Sequence, residues 1–563
     1  MNNNTLHTNG IHCSDLPSRM RNVCCRYRKP FLILYLYAVL LNLALITQRL
    51  SNDLDGLWNQ DDYLAGTWEL SIGRWLWPLL DRLRFGISLD PLPALLGLAM
   101  YVISFLLILN LLELSFSPLT GLMGAVFLSA VGITCQMSFG YMAITFSTSF
   151  LLSVLPVWIL VRGIRRRKVS ELPGRCSVRQ IFTQKGGTRN LRSFLPSVLL
   201  SALCIGCMMG LYQAGIGTTC VLSLSVLLYS LVRESSSAPK RISLLLQILA
   251  ATALGGIFYI LMLRLCLAVT GTAASDYQGF SSISPAYLIA GFPSAVRHSY
   301  AAMQHYFADG IFRSNRFIGS KVIWVLYLPF LLILFTCVRR IASRHSLPQT
   351  FLFVAGILVF PVAANCFYLL APETETHMQM TVSMGLMLPL ILGFAAAGRQ
   401  SACGRRSLQK PFAVLTLLCS LLILYGNSLQ CITDQYAMLA GRRATRTLAE
   451  GILAEANRQG YDLINGQILI TDSPYSSKTF CTADLYNEAN SYAQYGNWSH
   501  EESFSRVSWS KFYSNYLRIN VSFASGDTET TIAALPEVAA MPSYPAQGSV
   551  QNIYGVLVVK LGE

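Results

Sequence analysis

The sequence predicts a polytopic α-helical membrane protein with about eleven transmembrane helices and a small external C-terminal α/β domain. Of the 563 residues, 53% are hydrophobic and only 13% are charged. So little polar surface cannot cover a soluble globule of this size. Apolar runs of about 18 or more residues, each long enough to cross a hydrocarbon core of about 30 Å, recur over the first three quarters of the chain.

The apolar runs divide the chain into three parts. Residues 1–29 form a polar cytoplasmic tail, residues 30–429 form the transmembrane domain, and residues 430–563 form the C-terminal domain. The predicted spans are 31–49, 91–112, 117–134, 140–161, 194–211, 215–232, 242–269, 322–338, 349–370, 378–397 and 411–429. An odd number of crossings places the two ends of the chain on opposite faces of the membrane.

The basic residues indicate which face is cytoplasmic. The formal net charge is +15, and more than half of the Lys and Arg residues lie in five segments outside the predicted spans. These segments are 19–29, 162–192, 233–241, 339–344 and 399–410. Because the predicted spans put all of them on one face, the positive-inside rule places the N-terminus in the cytoplasm and the C-terminal domain outside. Basic residues in this arrangement set the orientation of the chain in the membrane, so we expect no nucleic-acid partner.

An acidic pair stands out in the first external segment. Asp61 and Asp62, in "QDDY", follow the first span, and Arg74 comes next in "GRWL". Residues 68–85 place Trp and Leu at helical spacing among charged side chains, which predicts an amphipathic helix lying in the membrane interface. Carboxylates near a fixed cation suit sugar transfer from a phospholipid, because one carboxylate can deprotonate the acceptor hydroxyl while the cation stabilises the departing phosphate. A solvated loop end and a cation or proton site in a transporter are the alternatives.

The C-terminal domain has a different composition. Residues 430–563 are polar, rich in Ser, Asn and Tyr, and contain no spanning run. The stretch "RRATRTLAEGILAEANRQG" predicts a helix that ends at Gly460, and "QILITD" and "IYGVLVVKL" predict buried strands. Together these elements predict a small α/β domain.

Four stretches of the membrane domain, taken in order, resemble a known family. They are the acidic pair, the following "GRW", "MSFGYMAITFSTSFLLSVLPV" at the fourth span and "LYQAGI" at the start of the sixth. Together they resemble the multi-spanning serotype-converting glucosyltransferases that decorate bacterial O-antigens, which belong to the membrane glycosyltransferases with the GT-C architecture. The resemblance covers most of residues 30–430. It implies a GT-C-like catalytic domain in a bacterial plasma (inner) membrane.

The resemblance also implies a reaction. The expected reaction is an inverting transfer of a hexose, with glucose the expected sugar, from a polyprenyl-phosphate donor to a cell-surface glycan on the external face. A carboxylate in the first external loop acts as general base in such a family, so position assigns the catalytic role to Asp61 and Asp62.

Position assigns binding roles as well. Arg74 becomes the contact for the donor phosphate or the lipid headgroup. The expected cavity-lining residues are Tyr63, Tyr212 and Gln213. Residues 430–563 carry no motif that matches the family, so the resemblance leaves the identity of the acceptor open.

Five further side chains are weaker candidates. Arg297, Arg313 and Arg316 are external cations against the positive-inside bias, which makes them candidates for holding a phosphate or pyrophosphate of the donor. Glu375 and His377, in "APETETHMQM", are candidates for completing a divalent-cation site with the acidic pair, with Mg²⁺ or Mn²⁺ as the ion. An ordinary solvated loop is the alternative explanation for this last pair.

Three other classes of protein are alternatives. A transporter or flippase of lipid-linked glycans usually carries ionisable groups at the middle of the membrane, whereas the spans here are poor in acids and the acidic pair lies outside them. A polysaccharide ligase or polymerase would share the external face and the lipid-phosphate substrate. A non-catalytic scaffold would leave the acidic pair without a purpose. The sequence favours a glycosyltransferase whose partners are the lipid-linked donor, the glycan acceptor and membrane lipids.

Overall fold

The computed structural model describes most of the membrane domain and much of the C-terminal region. The described residues are 15–52, 55–59, 63–83, 90–166, 187–233, 238–275, 285–310, 320–344, 347–371, 374–399, 409–472, 489, 491–496 and 506–562. Asp61, Asp62, Arg313 and Arg316 lie outside these residues.

Helices make up almost all of the described chain as far as residue 458. Short 3₁₀ turns at Gly140–Met142, Gln213–Gly215, Cys366–Leu369 and Met378–Met380, and a π turn at Tyr306–Gly310, lie next to helix ends. The helices are α1 (Asp15–Leu41), α2 (Leu43–Gln48), α3 (Asp55–Trp58), α4 (Thr67–Ser71), α5 (Leu76–Arg82), α6 (Leu92–Leu111), α7 (Pro118–Leu128), α8 (Val131–Ser138), α9 (Ala143–Arg166), α10 (Gly187–Leu211), α11 (Ile216–Arg233), α12 (Ala238–Thr270), α13 (Pro285–His305), α14 (Ser320–Arg344), α15 (Leu347–Ala364), α16 (Val382–Gly385), α17 (Met387–Arg399) and α18 (Gln409–Arg458).

Many of these helices can cross a membrane, which makes the chain a polytopic membrane protein. Within the described ranges, eight stretches are long and apolar enough to span a bilayer. They are Leu92–Leu111, Gly140–Arg165, Phe194–Leu211, Gln213–Arg233, Ala238–Thr270, Trp324–Arg344, Leu347–Ala364 and Pro411–Arg458. Helices α7 and α8 meet at an angle of 48°, and the number of candidate spans in the described ranges rises to nine if this bent pair is counted as one span.

Three of the sequence-predicted spans coincide with interrupted helices. Segment 31–49 contains the end of α1, a break at Asn42 and the short α2. Segment 117–134 contains the bend between α7 and α8, and segment 378–397 contains a 3₁₀ turn, α16 and most of α17. Hydropathy alone does not detect such breaks, because the residues on both sides of each break are apolar.

Small residues let several membrane helices pack closely. A Cβ added at Gly255 of α12 would lie 2.8 Å from Ile205 Cβ of α10, and one added at Gly217 of α11 would lie 2.4 Å from the carbonyl oxygen of Ala364. Close approach at small residues is the usual way in which helices associate in a membrane. The resulting core joins α6, α9, α10 and α11.

The ends of three helices meet at a basic cluster. Glu113, just after α6, forms ion pairs with Arg165 of α9 at 3.0 Å and with Arg233 of α11 at 2.6 Å. We call this end of the membrane domain the basic end. Ala143, at the start of α9, lies at the opposite end, about 33 Å from Arg165 at a rise of about 1.5 Å per residue.

The last long helix links the membrane domain to a small sheet. The 50 residues of α18 make a helix about 75 Å long, far more than a bilayer needs. The helix ends in a Schellman motif, in which Gly460 adopts φ 67°, its N–H bonds Asn457 O at 3.0 Å, and the Tyr461 N–H bonds Ala456 O at 3.0 Å. The predicted helix end at Gly460 is therefore correct, although the helix begins much earlier, at Gln409, and contains the whole of the last predicted span.

The sheet packs between α18 and two short helices. Its strands are β1 (Gln467–Thr471), β2 (Ser522–Phe523), β3 (Val550–Ile553) and β4 (Val556–Lys560), in the order β2-β1-β4-β3, and α19 (Arg506–Phe512), α20 (Asp527–Ala533) and α21 (Pro536–Ala539) accompany them. β1 pairs in parallel with β2 and β4, and β3 pairs antiparallel to β4. Leu557 and Val559 face α18, whereas Val556 and Val558 face α20 and α21.

The stretch "IYGVLVVKL" is a hairpin and not a single strand. Ile553 ends β3 and Val556 begins β4. Between them Tyr554 and Gly555 adopt φ values of 51° and 86°, as both central residues of a type I′ turn must. The apolar residues on both sides of "YG" hid this turn from the sequence pattern.

Candidate active site

The segment that follows the acidic pair folds into two short helices. The predicted amphipathic helix over residues 68–85 is wrong, because Gly73 adopts φ 90° and ends α4 in a Schellman motif. The N–H groups of Gly73 and Arg74 bond Leu70 O and Glu69 O at 3.0 and 2.8 Å. The chain turns there, so that Arg74 and the buried Trp75 leave the line of α4 before α5 begins. Glycine was the signal for this break, but apolar periodicity obscured it.

Two buried carboxylates hold the start of this segment. Glu69, 4% exposed, accepts hydrogen bonds from the Tyr63 hydroxyl and, at 2.7 Å, from the Gly66 N–H. Asp81, 6% exposed, accepts a hydrogen bond from the Ala65 N–H at 3.0 Å. Burial and then the contact with Glu69 raise the pKa of Tyr63. Neither acid was a sequence candidate, and together they fix the residues directly after Asp62.

Arg74 lies in an aromatic cage with one unsatisfied donor. The centre of its guanidinium lies 5.7 Å from the Trp77 ring centroid and 5.3 Å from the Tyr212 ring centroid. Its Nε is buried and has no hydrogen-bond partner among the described residues. A buried unpaired donor costs about 1–3 kcal/mol, and cation–π contacts offset part of that cost. The arrangement suits a cation that receives an anionic group of a ligand.

Tyr212 and Gln213 connect the end of α10 to this segment. Gln213 Nε2 donates to Ile72 O at 2.8 Å and to the Tyr259 hydroxyl at 3.4 Å. A Cβ at Gly210 would lie 2.6 Å from Trp75 Cε2, so this glycine admits the indole ring. Gln213 therefore positions the backbone beside Arg74, in addition to the cavity-lining role that the sequence assigns to it.

Aromatic side chains from three distant stretches pack together around Arg74. We call these side chains the aromatic cluster: Tyr63, Trp77, Phe139, Tyr141, Phe146 and Tyr212. The Tyr63 ring centroid lies 4.7 Å from that of Tyr141, and the Phe146 centroid lies 4.8 Å from that of Tyr212. The structure thus brings "GRW", "MSFGYMAITF" and "LYQAGI" to one place, with Tyr63, Arg74, Tyr212 and Gln213 together.

The remaining candidates lie elsewhere or outside the described chain. Arg297 is exposed on α13, where the neighbouring His298 ring lies 5.5 Å from Tyr368. Glu375 and His377 are exposed, although the adjacent Met378 packs on the aromatic cluster. Among the described residues, no group of three or more His, Cys, Asp or Glu side chains is arranged to hold a metal ion.

A carboxylate on α18 brings the C-terminal region to the site. Asp434 is fully buried, and its Oδ1 accepts hydrogen bonds from the N–H groups of Gln494, Tyr495 and Gly496 at 2.7, 2.9 and 2.8 Å. Its Oδ2 accepts one from Gln430 Nε2 at 2.8 Å. Tyr495 then packs against the aromatic cluster. Within residues 411–441 of α18, Asp434 is the only charged residue, which was the sequence signal for this contact, but its partners lie about sixty residues away in the chain.

Replacing this carboxylate should destabilise the protein strongly. Asp434→Ala removes the shared acceptor of three N–H groups, which are buried at Gly496 and part-buried at Gln494 and Tyr495, and each such loss costs about 1–3 kcal/mol. We expect the free energy of unfolding to fall by at least about 3 kcal/mol, measured by denaturation of the purified protein in detergent. The matched control is Asp527→Ala at the exposed start of α20, which should cost less than about 1 kcal/mol. Equal losses in the two variants would contradict this role.

Comparison with known proteins gives a family for this fold and site. The family model described as "Glucosyl transferase GtrII" matches residues 54–392, more than half of the chain. The matched range contains the acidic pair, Arg74, Tyr212 and Gln213, and it ends before α18. No curated protein and no solved structure matches the chain.

Proposed function

Because the chain belongs to the GtrII glucosyl transferase family, we propose that it transfers a hexose, with glucose the expected sugar, from polyprenyl phosphate to a cell-surface glycan. Family membership makes the chain a glycosyltransferase. The observation that carries the proposal is the placement of Arg74. Its half-buried guanidinium lies over two aromatic rings with a donor unsatisfied by any described residue, in the segment that directly follows Asp61 and Asp62.

The proposed chemistry is a single displacement at the anomeric carbon. The acceptor hydroxyl loses its proton to Asp61 or Asp62 and forms the new bond to C1. The bond from C1 to the phosphate oxygen breaks, and its electron pair leaves with polyprenyl phosphate. The phosphate gains negative charge in this step, which Arg74 would stabilise as a preorganised cation. Either carboxylate can accept this proton only in its ionised form.

The neighbours of Arg74 suit the binding of a sugar on a lipid phosphate. The rings of Tyr63 and Tyr212 offer apolar faces with polar tips, and Gln213 keeps the backbone at Ile72 in place. Arg297, Arg313 and Arg316 remain proposed as further cations for the donor phosphate. The GT-C-like architecture of residues 30–429 and the external α/β domain of residues 430–563 belong to the same proposal.

The proposed membrane is the bacterial inner membrane, with the N-terminus in the cytoplasm. The basic end, where Arg165 and Arg233 meet Glu113, lies at the opposite end of α9 from the aromatic cluster. The positive-inside rule places such a basic end in the cytoplasm. The aromatic cluster and the C-terminal region would then lie on the external side, where a cell-surface acceptor is available.

A bound divalent cation is a separate part of the proposal. Asp61 and Asp62, together with Glu375 and His377, supply the oxygen and nitrogen ligands that such a site would use. Bound there, Mg²⁺ or Mn²⁺ would add positive charge near the donor phosphate. The roles of the acidic pair as base and of Arg74 as phosphate contact do not depend on the ion.

The donor experiment tests the proposed function. Purified full-length protein in detergent is given O-antigen polysaccharide and radiolabelled glucose, carried either by polyprenyl phosphate or by UDP. We expect label in the polysaccharide from the lipid donor alone, with inverted configuration at C1. Transfer from UDP-glucose would contradict the proposed donor. A chelator arm tests the cation: EDTA should lower the rate of transfer and added Mg²⁺ should restore it, and unchanged transfer in EDTA would remove the cation from the proposal.

The same experiment separates the alternatives. A polysaccharide ligase or polymerase would transfer a lipid-linked oligosaccharide and leave the single hexose donor unused. A flippase would move the labelled donor across a vesicle membrane without cleaving it. Hexose transfer in detergent, where no membrane separates two compartments, excludes translocation as the basis of the signal.

A further inference from the structure

A groove opens at the basic end, far from the candidate active site. It has a volume of about 960 Å³ and lies between the middle of α1, the C-terminal half of α6 and the end of α9. This volume is within the range of ordinary ligand pockets. Arg162 at its rim is 19 residues along α9 from Ala143, which is about 28 Å at 1.5 Å per residue. The groove and the aromatic cluster are therefore at opposite ends of one membrane helix.

The groove combines an apolar wall with an ordered polar floor. Phe31, Ile103 and Leu107 line the wall, and Ile103 is 41% exposed. On the floor, Asn110 Nδ2 donates to the Tyr27 hydroxyl at 3.0 Å. Asn110 Oδ1 accepts a hydrogen bond from Trp158 Nε1 at 2.9 Å. Asn110 thus ties α1 to α9 through α6.

The floor in turn holds the cations at the rim. The Arg162 guanidinium lies 4.6 Å from the centroid of the Trp158 ring that Asn110 anchors. Among the described residues that line the groove, Arg28, Arg162 and Arg165 are cationic and Glu113, which Arg165 and Arg233 share, is anionic. The described lining therefore carries more positive than negative charge.

We propose that this groove binds an anionic glycerophospholipid. The phosphate would lie between Arg28 and Arg162, and one acyl chain would lie along the apolar wall. The cations of the groove favour an anionic headgroup. The exposed apolar wall favours a lipid over free phosphate, because free phosphate has no acyl chain to pack against that wall. Basic pockets between membrane helices on the cytoplasmic side bind anionic lipids in this way. The site is independent of the proposed reaction, because its residues lie at the other end of α9.

Native mass spectrometry of the purified full-length protein tests the proposal. The protein is titrated with phosphatidylglycerol, phosphatidylcholine or polyprenyl phosphate. We expect phosphatidylglycerol to bind at least about tenfold more tightly than phosphatidylcholine. The double variant Arg28→Gln/Arg162→Gln should lose about 25-fold in affinity for phosphatidylglycerol, since each such cation contributes about fivefold. Arg28→Lys/Arg162→Lys keeps both charges but loses the planar forks that match a phosphate, so its affinity for phosphatidylglycerol should lie between those of the wild type and the Gln pair.

A matched control uses two exposed cations of α18. Arg446→Gln/Arg458→Gln removes the same charge from side chains that are 62% and 68% exposed, and phosphatidylglycerol binding should not change. An unfolding curve for each variant shows whether it is folded. If the Gln pair does not fold, the affinity of the Lys pair for phosphatidylglycerol is compared with that of the wild type instead. Equal binding of phosphatidylglycerol and phosphatidylcholine, tighter binding of polyprenyl phosphate, or loss of binding in the Lys pair would overturn the proposal.

Discussion

Asp61→Asn and Asp62→Asn are each expected to abolish sugar transfer, with kcat reduced by about 10²- to 10⁴-fold. An Asn side chain has nearly the shape of Asp but cannot accept the proton of the acceptor hydroxyl. The proposal gives the catalytic role to both carboxylates, so a loss is expected at either position. Transfer of radiolabelled glucose from polyprenyl phosphate by the purified variants gives the measurement.

The acidic-pair prediction has a matched control in Asp527→Asn. Asp527 is exposed at the start of α20, so the same chemical change there should leave transfer at the wild-type rate. All three variants should express and insert in the membrane like the wild type. If both acidic-pair variants turn over at the wild-type rate, the catalytic assignment is wrong.

Arg74→Ala should raise the donor KM and lower kcat/KM by about 10²-fold or more. The guanidinium is already held between the Trp77 and Tyr212 rings, so it needs little rearrangement to stabilise the phosphate. Alanine removes this charge and leaves the aromatic rings in place. Arg74→Lys should have a kcat/KM between those of the wild type and Arg74→Ala, because an ammonium keeps the charge but loses the planar fork that matches a phosphate. Initial rates over a range of donor concentrations separate KM from kcat.

Arg458→Ala serves as the control for Arg74→Ala. The Arg458 side chain is 68% exposed and forms a surface ion pair with Glu455 at 2.5 Å. A surface pair of this kind contributes little to stability, and its loss should leave the donor KM unchanged. Equal changes in the donor KM for the two variants would argue against the phosphate role of Arg74.

The membrane helices could be predicted from the sequence better than their interruptions. Long apolar stretches such as Leu92–Leu111 and Ala238–Thr270 have a composition that only a membrane span explains. The break at Asn42 and the bend between α7 and α8 interrupt runs that remain apolar on both sides. The turn at Gly73 was missed for a related reason, since the apolar residues around it continue at helical spacing.

The candidate site was partly predictable as well. The sequence singled out Tyr63, Arg74, Tyr212 and Gln213, which lie together in the structure, while their functional roles remain predictions. It could not identify the partners of Glu69, Asp81 and Asp434, because these acids accept hydrogen bonds from backbone N–H groups. Such bonds require no particular residue type or spacing in the partner.

The most direct test of the central claim measures donor binding and turnover in the same purified variants. The claim is that the acidic pair acts as the base while Arg74 holds the donor phosphate. Asp61→Asn and Asp62→Asn should therefore bind polyprenyl-phosphate glucose with a Kd within about twofold of the wild type while losing turnover, and Arg74→Ala should bind it at least about tenfold more weakly. Full turnover in the Asp variants, or wild-type donor binding in Arg74→Ala, would contradict the account.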